Sequence, residues 1–420
     1  LGVDSVRSAL APIRHAPFGR LLTCYTVNQV GDFVGLVALA LLVYAKTKDP
    51  LATSALYGCA QFVPSLFAPL LTARLDQLPP RRVLPGMFAL EALLFGALAL
   101  IAAHAFALWA VLLLAFVDGT LMLTARGIVR GAINETLEPA GLLREGNALV
   151  NLGFAIATVG GTGVGGVLVG AFGAGVALAI DAASFAAVAL LLVTARSFKA
   201  RRTERQPLGE RLRGGFSFVA EDPVVRLLIL GETLAVLLFT IVVPIEVVYA
   251  KETLGTNDAG YGLLLAAWGA GAVVGSLLFV RFARRSTVVL IALSTLAIGG
   301  AYLGMGASRE LWLASAFSAL GGIGNGLQWV SVMTAVQEST PADLQARITG
   351  LLESTTAGVT GIGFLLGGVL AAIASPETAF LSAGGATVAL VVVALAFASR
   401  LREQADPARA FPSAGERSRA

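Results

Sequence analysis

The sequence predicts an all-α membrane protein of twelve transmembrane helices in two six-helix bundles, and three observations carry that expectation. The first is composition: 56% of the 420 residues are hydrophobic and 13% charged, with a mean hydropathy of +0.81, against about 45–50% and 25% in soluble domains. The second is segment length, since the apolar residues gather into stretches near the roughly 20 residues a helix needs to cross ~30 Å of hydrocarbon. The third is an internal repeat. Val43-Tyr44-Ala45-Lys46 returns as Val248-Tyr249-Ala250-Lys251, Pro139-Ala140-Gly141-Leu142 as Pro341-Ala342-Asp343-Leu344, and Gly165-Gly166-Val167-Leu168 as Gly367-Gly368-Val369-Leu370, in the same order. A parallel repeat of helical halves places a substrate site between them near the bilayer midplane. The chain therefore reads as a carrier.

Taken in order, the first bundle (residues 1–194) holds spans at Leu21–Tyr44, Leu51–Ala73, Val83–Ala103, Phe106–Ile128, Ala148–Phe172 and Gly175–Thr194. The second bundle (224–400) holds Val224–Tyr249, Tyr261–Phe282, Val288–Gly306, Leu311–Val336, Ile348–Ile373 and Ala379–Ser399. Leu1 to Arg20 is polar and carries Arg7, Arg14 and Arg20 without an apolar signal core, so the first span is expected to act as its own insertion signal. With both termini inside, 26 of the 30 Lys and Arg residues fall on the cytoplasmic side, leaving Lys46, Lys48, Lys251 and Arg309 outside; that bias is the positive-inside signal. Residues 195–223 form a basic cytoplasmic connector. Leu208, Leu212 and Phe216 are spaced four apart there, which fits one short surface helix. The tail, 401–420, is charged and contains Pro and Ser, a composition that favours disorder.

Several function classes drop out. The net charge of +4 comes from loops and ends, without the aromatic-interleaved basic face that nucleic acid requires. Two cysteines, Cys24 and Cys59, and two histidines supply neither a disulfide framework nor a metal cluster. No zinc-protease His pair, nucleophile elbow or phosphate loop occurs, so neither a membrane-embedded enzyme nor an ATP-driven pump is expected. Gly161, Gly163 and Gly166 match a dinucleotide-binding spacing, but they lie inside an apolar span with no strand before them. Glycines there let helices approach closely, as do Gly363, Gly367 and Gly368 in the other half.

Seven short motifs occur in the order seen in the major facilitator superfamily. They are Asn28-Gln29-Val30-Gly31-Asp32, Val43 to Thr47, Phe62-Val63-Pro64, Arg81-Arg82, Thr124-Ala125-Arg126, Gly146-Asn147-Ala148-Leu149 and Asp181 to Phe185. The chain resembles the branch of enterobactin exporters and macrolide-type efflux proteins, more sharply in the first half. The resemblance implies a twelve-helix rocker-switch carrier in the inner (plasma) membrane, usually an exporter driven by proton entry. It also implies an inner gate loop, of which Asp76, Arg81 and Arg82 remain while Thr72 and Gln77 replace the usual glycine and first arginine. In the fifth span Thr162 stands where the antiporter signature has proline.

Intramembrane ionisable groups carry the functional signal, because a charge at the bilayer centre costs at least ~2.5–3.5 kcal/mol. Asp32 is mid-span with Asn28 one turn earlier on the same face. Such a carboxylate can exchange a proton, and an approaching cation favours its ionised form, so proton and substrate compete. The alternative is an Asp that only ties neighbouring helices together. Asp118 is mid-span in the fourth span, about 12 Å along the axis from Arg126, too far to pair; Arg126 sits at the inner end, where snorkelling competes with a substrate role. Glu232 is the third proton-coupling candidate, with Arg226 as an alternative partner. Glu246 is expected to meet water or Lys251, Glu91 and Asp181 to form structural pairs at the periphery, and Glu353 to sit near the inner gate. Gln61, Asn147, Asn151, Asn325 and Gln328 complete the cavity candidates, with Trp268, Trp329 and Phe239 available to stack on an apolar ligand. Gly161, Gly165, Gly166, Gly367 and Gly368 are the helix-packing and conformational candidates. The whole describes a monomer in the lipid bilayer, exchanging protons for a small amphipathic substrate, a drug or a secreted metabolite such as a siderophore, without cofactor or metal. The alternative within the same fold is a lipid or lysophospholipid translocator.

Overall fold

The computed structural model describes residues 11–14, 16–75, 78–193, 219–282, 285–341 and 344–405. Asp76, residues 195–218 of the connector and residues 406–420 of the tail lie outside them. Twelve long helices run through the described residues. In the first half they are α1 (Ala16–Thr47), α2 (Pro50–Leu75), α3 (Pro80–His104), α4 (Leu108–Leu137), α5 (Leu143–Phe172) and α6 (Ala174–Val193). In the second half they are α7 (Pro223–Thr253), α8 (Asp258–Phe282), α9 (Thr287–Ala307), α10 (Leu311–Glu338), α11 (Gln345–Ile373) and α12 (Pro376–Ala405). Eleven are long and apolar enough to cross a membrane. The exception is α10, whose Gly321, Gly322, Gly324, Asn325, Gly326 and Gln328 lower its hydropathy. Those glycines sit on α8 and α9: a Cβ on Gly322 or Gly326 would overlap the backbone carbonyls of Trp268 and Ala272, and one on Gly324 would lie 2.6 Å from the Ser294 carbonyl oxygen.

Local chemistry sets the breaks. Asp49 accepts from the Leu51 amide at 2.8 Å, with Pro50 in the first helical position; Asp222 accepts from the Val224 and Val225 amides ahead of α7, again with proline (Pro223) first. Both are side-chain caps with a proline that has no amide to satisfy. At the other end, α12 runs past Arg400 to Ala405, five residues into the segment expected to be disordered. Arg400 to Ala405 are all good helix formers, and the first breaker is Pro407.

Two helices are irregular where it matters. In α2, Pro64 cannot donate to Ala60, and the turn Gly58–Phe62 widens to a π-helix. The freed Ala60 carbonyl is covered by Gly119 of α4, where a Cβ would overlap it. In α7, Pro244 opens a 3-10 turn at Val243–Ile245, and Glu246 follows it.

Within the first half α1 packs on α5 and α6, α3 on α6, and α2 on α4; within the second, α10 on α8 and α9, α9 on α12, and α7 on α11. The halves meet through α5 against α8 and α2 against α11. These contacts concentrate at the end remote from the termini. A Cβ on Gly166 would lie 2.7 Å from Gly262 Cα and one on Gly368 would overlap Ser54. Tyr57 Oη lies 3.3 Å from Tyr261 Oη, and Tyr44 donates to Glu252. At the end carrying the termini, Asn147 and Asn151 of α5 and Glu353 and Ser354 of α11 are exposed. The space between the halves therefore opens toward the termini. Trp109 and Trp312, at equivalent starts of α4 and α10, are 72% and 70% exposed, as an aromatic belt at a membrane interface would be.

The predicted packing glycines all fall on helix contacts. Gly161 and Gly165 back onto α1 at Val30 and Val34, Gly166 onto α8, Gly367 onto the Ile241 carbonyl of α7, and Gly368 onto α2. Gly367→Leu, which drives a side chain into backbone, is expected to cut the yield of folded protein severalfold and lower its melting midpoint. Leu93→Ala, on a residue 71% exposed, should do neither. Fluorescence-detected size exclusion with a thermal ramp checks this, and a wild-type profile for Gly367→Leu would refute the packing role.

Candidate functional site

The interior of the first bundle is acidic. Asn28 Nδ2 donates to Asp32 Oδ2 at 2.9 Å, one turn apart on α1. Arg126 of α4 brings Nη2 to 3.9 Å from the same oxygen and donates to Gln29 Oε1 at 3.1 Å. The guanidinium thus reaches inward from the α4 end to Asp32, which replaces the expectation that it snorkels. Asp118, two turns along α4, lines the same lobe of about 350 Å³ with Asp32, Gln61, Arg126 and Phe154.

Two further carboxylates face this interior, contrary to the expectation of peripheral structural pairs. Asp181 of α6 lies over the notch made by Gly31 and Gly35 of α1, where any side chain would overlap or crowd its carboxylate; Ser184 Oγ donates to Asp181 Oδ1 at 3.1 Å. Glu91 of α3 is fully buried with no hydrogen-bond partner for either oxygen, and Asp32, Asp118 and Asp181 lie within its electrostatic reach. No ion pair to Glu91, Asp118 or Asp181 occurs among the described residues. Four acids therefore share the bundle interior, and among the described residues only Asp32 pairs with the guanidinium. The sequence did hold a signal for this: Gly31-x-x-x-Gly35 marks a face of α1 that a neighbouring helix approaches closely.

Between the bundles a second lobe of about 440 Å³ shares Phe33, Leu36, Gln61 and Thr360 with the first, so the two adjoin. Gln61 sits in the widened turn of α2, which turns it toward both. Gln328 Nε2 of α10 donates to Glu232 Oε2 of α7 at 3.2 Å; Arg226, the alternative partner, donates instead to the Ala220 carbonyl. Glu246 also lines this lobe and is buried, because the 3-10 turn after Pro244 brings it inward. Lys251, its expected partner, pairs with Asp258 at 2.6 Å. Phe239 and Trp268 stand 5.7 Å apart, and Trp268 stacks on Tyr302 at 5.7 Å. Asn325 and Trp329 complete the α10 wall, and Thr162, in the motif position of proline, returns its hydroxyl to the Thr158 carbonyl at 2.6 Å. No Lys or Arg lines this lobe among the described residues.

Other expected site residues lie elsewhere. Asn147 and Asn151 are exposed on the open half of α5 and line neither lobe. Arg81 and Arg82 are exposed in the first turn of α3, without Asp76 to compare.

Two six-helix halves around a central cavity with a few buried polar groups, closed at one end and open at the other, define a membrane carrier of the major facilitator type. The chain belongs to the transmembrane secretion effector family, whose model matches residues 7–414. It is 28% identical over 412 residues to the multidrug efflux pump Tap of Mycolicibacterium fortuitum, spanning 93% of this chain and 97% of that one. Among solved structures, the nucleoside transporter NupG aligns with a TM-score of 0.74 at 14% identity, covering 90% of this chain and 99% of NupG. A bacterial homologue of the human lysosomal transporter Spinster, inward-facing and occupied, aligns at 0.70 and 15%, covering 92% and 96%. The family and these relatives are transporters, and the chain is a multi-pass membrane transporter.

Proposed function

We propose that this protein exports small amphipathic cations across the plasma membrane in exchange for protons, by rocking its two halves about the central cavity. The observation that carries the reading is the pairing of an aromatic, cation-free lobe bearing Glu232 and Glu246 with an acidic interior holding four carboxylates and one guanidinium. The first attracts an organic cation through carboxylates and ring faces. The second cannot keep every carboxylate charged in a bundle interior, since buried charges need partners, so protons are the ligands it takes up. Asp32 links the two, being paired to Arg126 and lining the lobe that adjoins Glu232. Similarity to an efflux pump supports the direction of transport. The Lys and Arg bias supports cytoplasmic termini, and with them a cytoplasmic open end, where an exporter must load.

The test is efflux of ethidium from proteoliposomes under an imposed pH gradient, inside alkaline or inside acid. Transport that follows the gradient and is lost with a protonophore is the expected result. Transport indifferent to the gradient would refute proton exchange and favour translocation of a lipid-like substrate.

A further inference from the structure

A third cavity, of about 400 Å³, lies inside the second bundle, walled by α7, α9, α10 and α12. It is within the range of about 300–1,000 Å³ that holds small molecules. Its walls are aliphatic, from residues such as Leu227, Ile291, Val332 and Val391, and its polar groups, Glu232, Thr295 and Gln328, all sit at one end. Those three and Ala235 also line the central lobe, so they stand at the boundary between the two spaces. At the opposite end Val224, Val288 and Leu395 are 48%, 40% and 44% exposed, near the starts of α7 and α9 and the far part of α12. The cavity thus runs from the end of the bundle that carries the termini to a buried carboxylate. Glu232 is 6% exposed, accepts from Gln328 and has no ion pair among the described residues. The emptiness extends to the backbone: a Cβ on Gly231 would meet nothing within 4 Å.

We infer that this cavity is a second binding site, which takes the unbranched hydrocarbon tail of a cationic amphiphile while its ammonium head sits at Glu232, at the boundary with the central lobe. The inference rests on the proposed cation specificity and adds to it the shape of the substrate. A head held between Glu232 and the Gln328 carbonyl keeps its charge compensated, and the tail occupies walls with no polar group to desolvate. From there the head is already at the wall of the central lobe, where the ring faces of Phe239 and Trp268 await it.

Gly231→Phe tests this, because it fills the cavity from a position with free space and replaces a helix-weakening glycine. Binding of decyltrimethylammonium and of tetramethylammonium is measured by calorimetry on the full-length protein in zwitterionic nanodiscs. Bilayer partition of the decyl chain is the same for every variant, so differences report the site. Gly231→Phe should weaken decyltrimethylammonium at least about tenfold and leave tetramethylammonium within about twofold. Glu232→Gln should weaken both. Ala292→Leu, from the α9 wall, repeats the first result with a smaller filler should Gly231→Phe lower the thermal midpoint. Unchanged decyl binding in both filled variants would mean that a lipid tail or nothing occupies the cavity, and would overturn the inference. A wild-type protein that binds neither cation would instead remove the cation specificity itself, while binding of tetramethylammonium alone would leave that specificity intact and sink only the tail site.

Discussion

Asp32→Asn is expected to abolish gradient-driven transport while leaving a folded protein that still binds substrate. The substitution is isosteric and keeps a group for the Asn28 amide at 2.9 Å, so the α1 contact survives. What it removes is the charge facing Arg126 and the ability to give up a proton. Asn therefore fixes the protonated form, and the guanidinium is left with Gln29. In proteoliposomes, pH-gradient-driven efflux should fall to the protein-free rate, a loss of at least about tenfold, whereas downhill substrate exchange without a gradient should persist. Asp118→Asn, on the other coupling candidate of the same lobe, is expected to weaken gradient-driven efflux less than Asp32→Asn does, because Asp118 has no ion pair among the described residues. If both single variants retain proton-coupled efflux, the acidic interior is not the coupling site and Glu232 becomes the test position.

The second large effect concerns the closed end. A Cβ on Gly163 of α5 would stand 3.5 Å from Ala266 Cβ of α8, within the about 3.5–4.5 Å that a disulfide spans. Gly163→Cys with Ala266→Cys, in a background lacking Cys24 and Cys59, should crosslink under mild oxidant and stop transport almost completely. Reduction should restore it. A pair that crosslinks without affecting transport would show that α5 and α8 do not separate during the cycle, and the rocking of the halves would have to be abandoned. Gly166 and Gly262, one turn further out, are too close for the same device, since each glycine has backbone where the other's Cβ would stand.

Much of this molecule was legible from residue order. Membrane helices must be long, apolar and internally hydrogen-bonded, so length and hydropathy locate them; the repeat shows how they group into halves. The glycine runs in α5 and α11 announced close contacts, and α10 was readable as a span by its length although its polar residues dilute its hydropathy. Intramembrane carboxylates were found by their cost. What residue order could not supply is direction. In a soluble helix the polar face tells which side is buried, but here lipid and protein interior are both apolar, so nothing in the pattern says that Glu91 and Asp181 are buried in the same bundle interior as Asp32 or that Asn147 and Asn151 lie exposed toward the open end. Only tertiary packing brings Arg126 to Asp32 across 94 residues of chain. Only the 3-10 turn after Pro244 carries Glu246 into the cavity and leaves Lys251 to Asp258. Residue order determines which groups the membrane must hide, because that cost arises residue by residue; the structure decides which of them meet, because that depends on how twelve apolar rods rotate against one another.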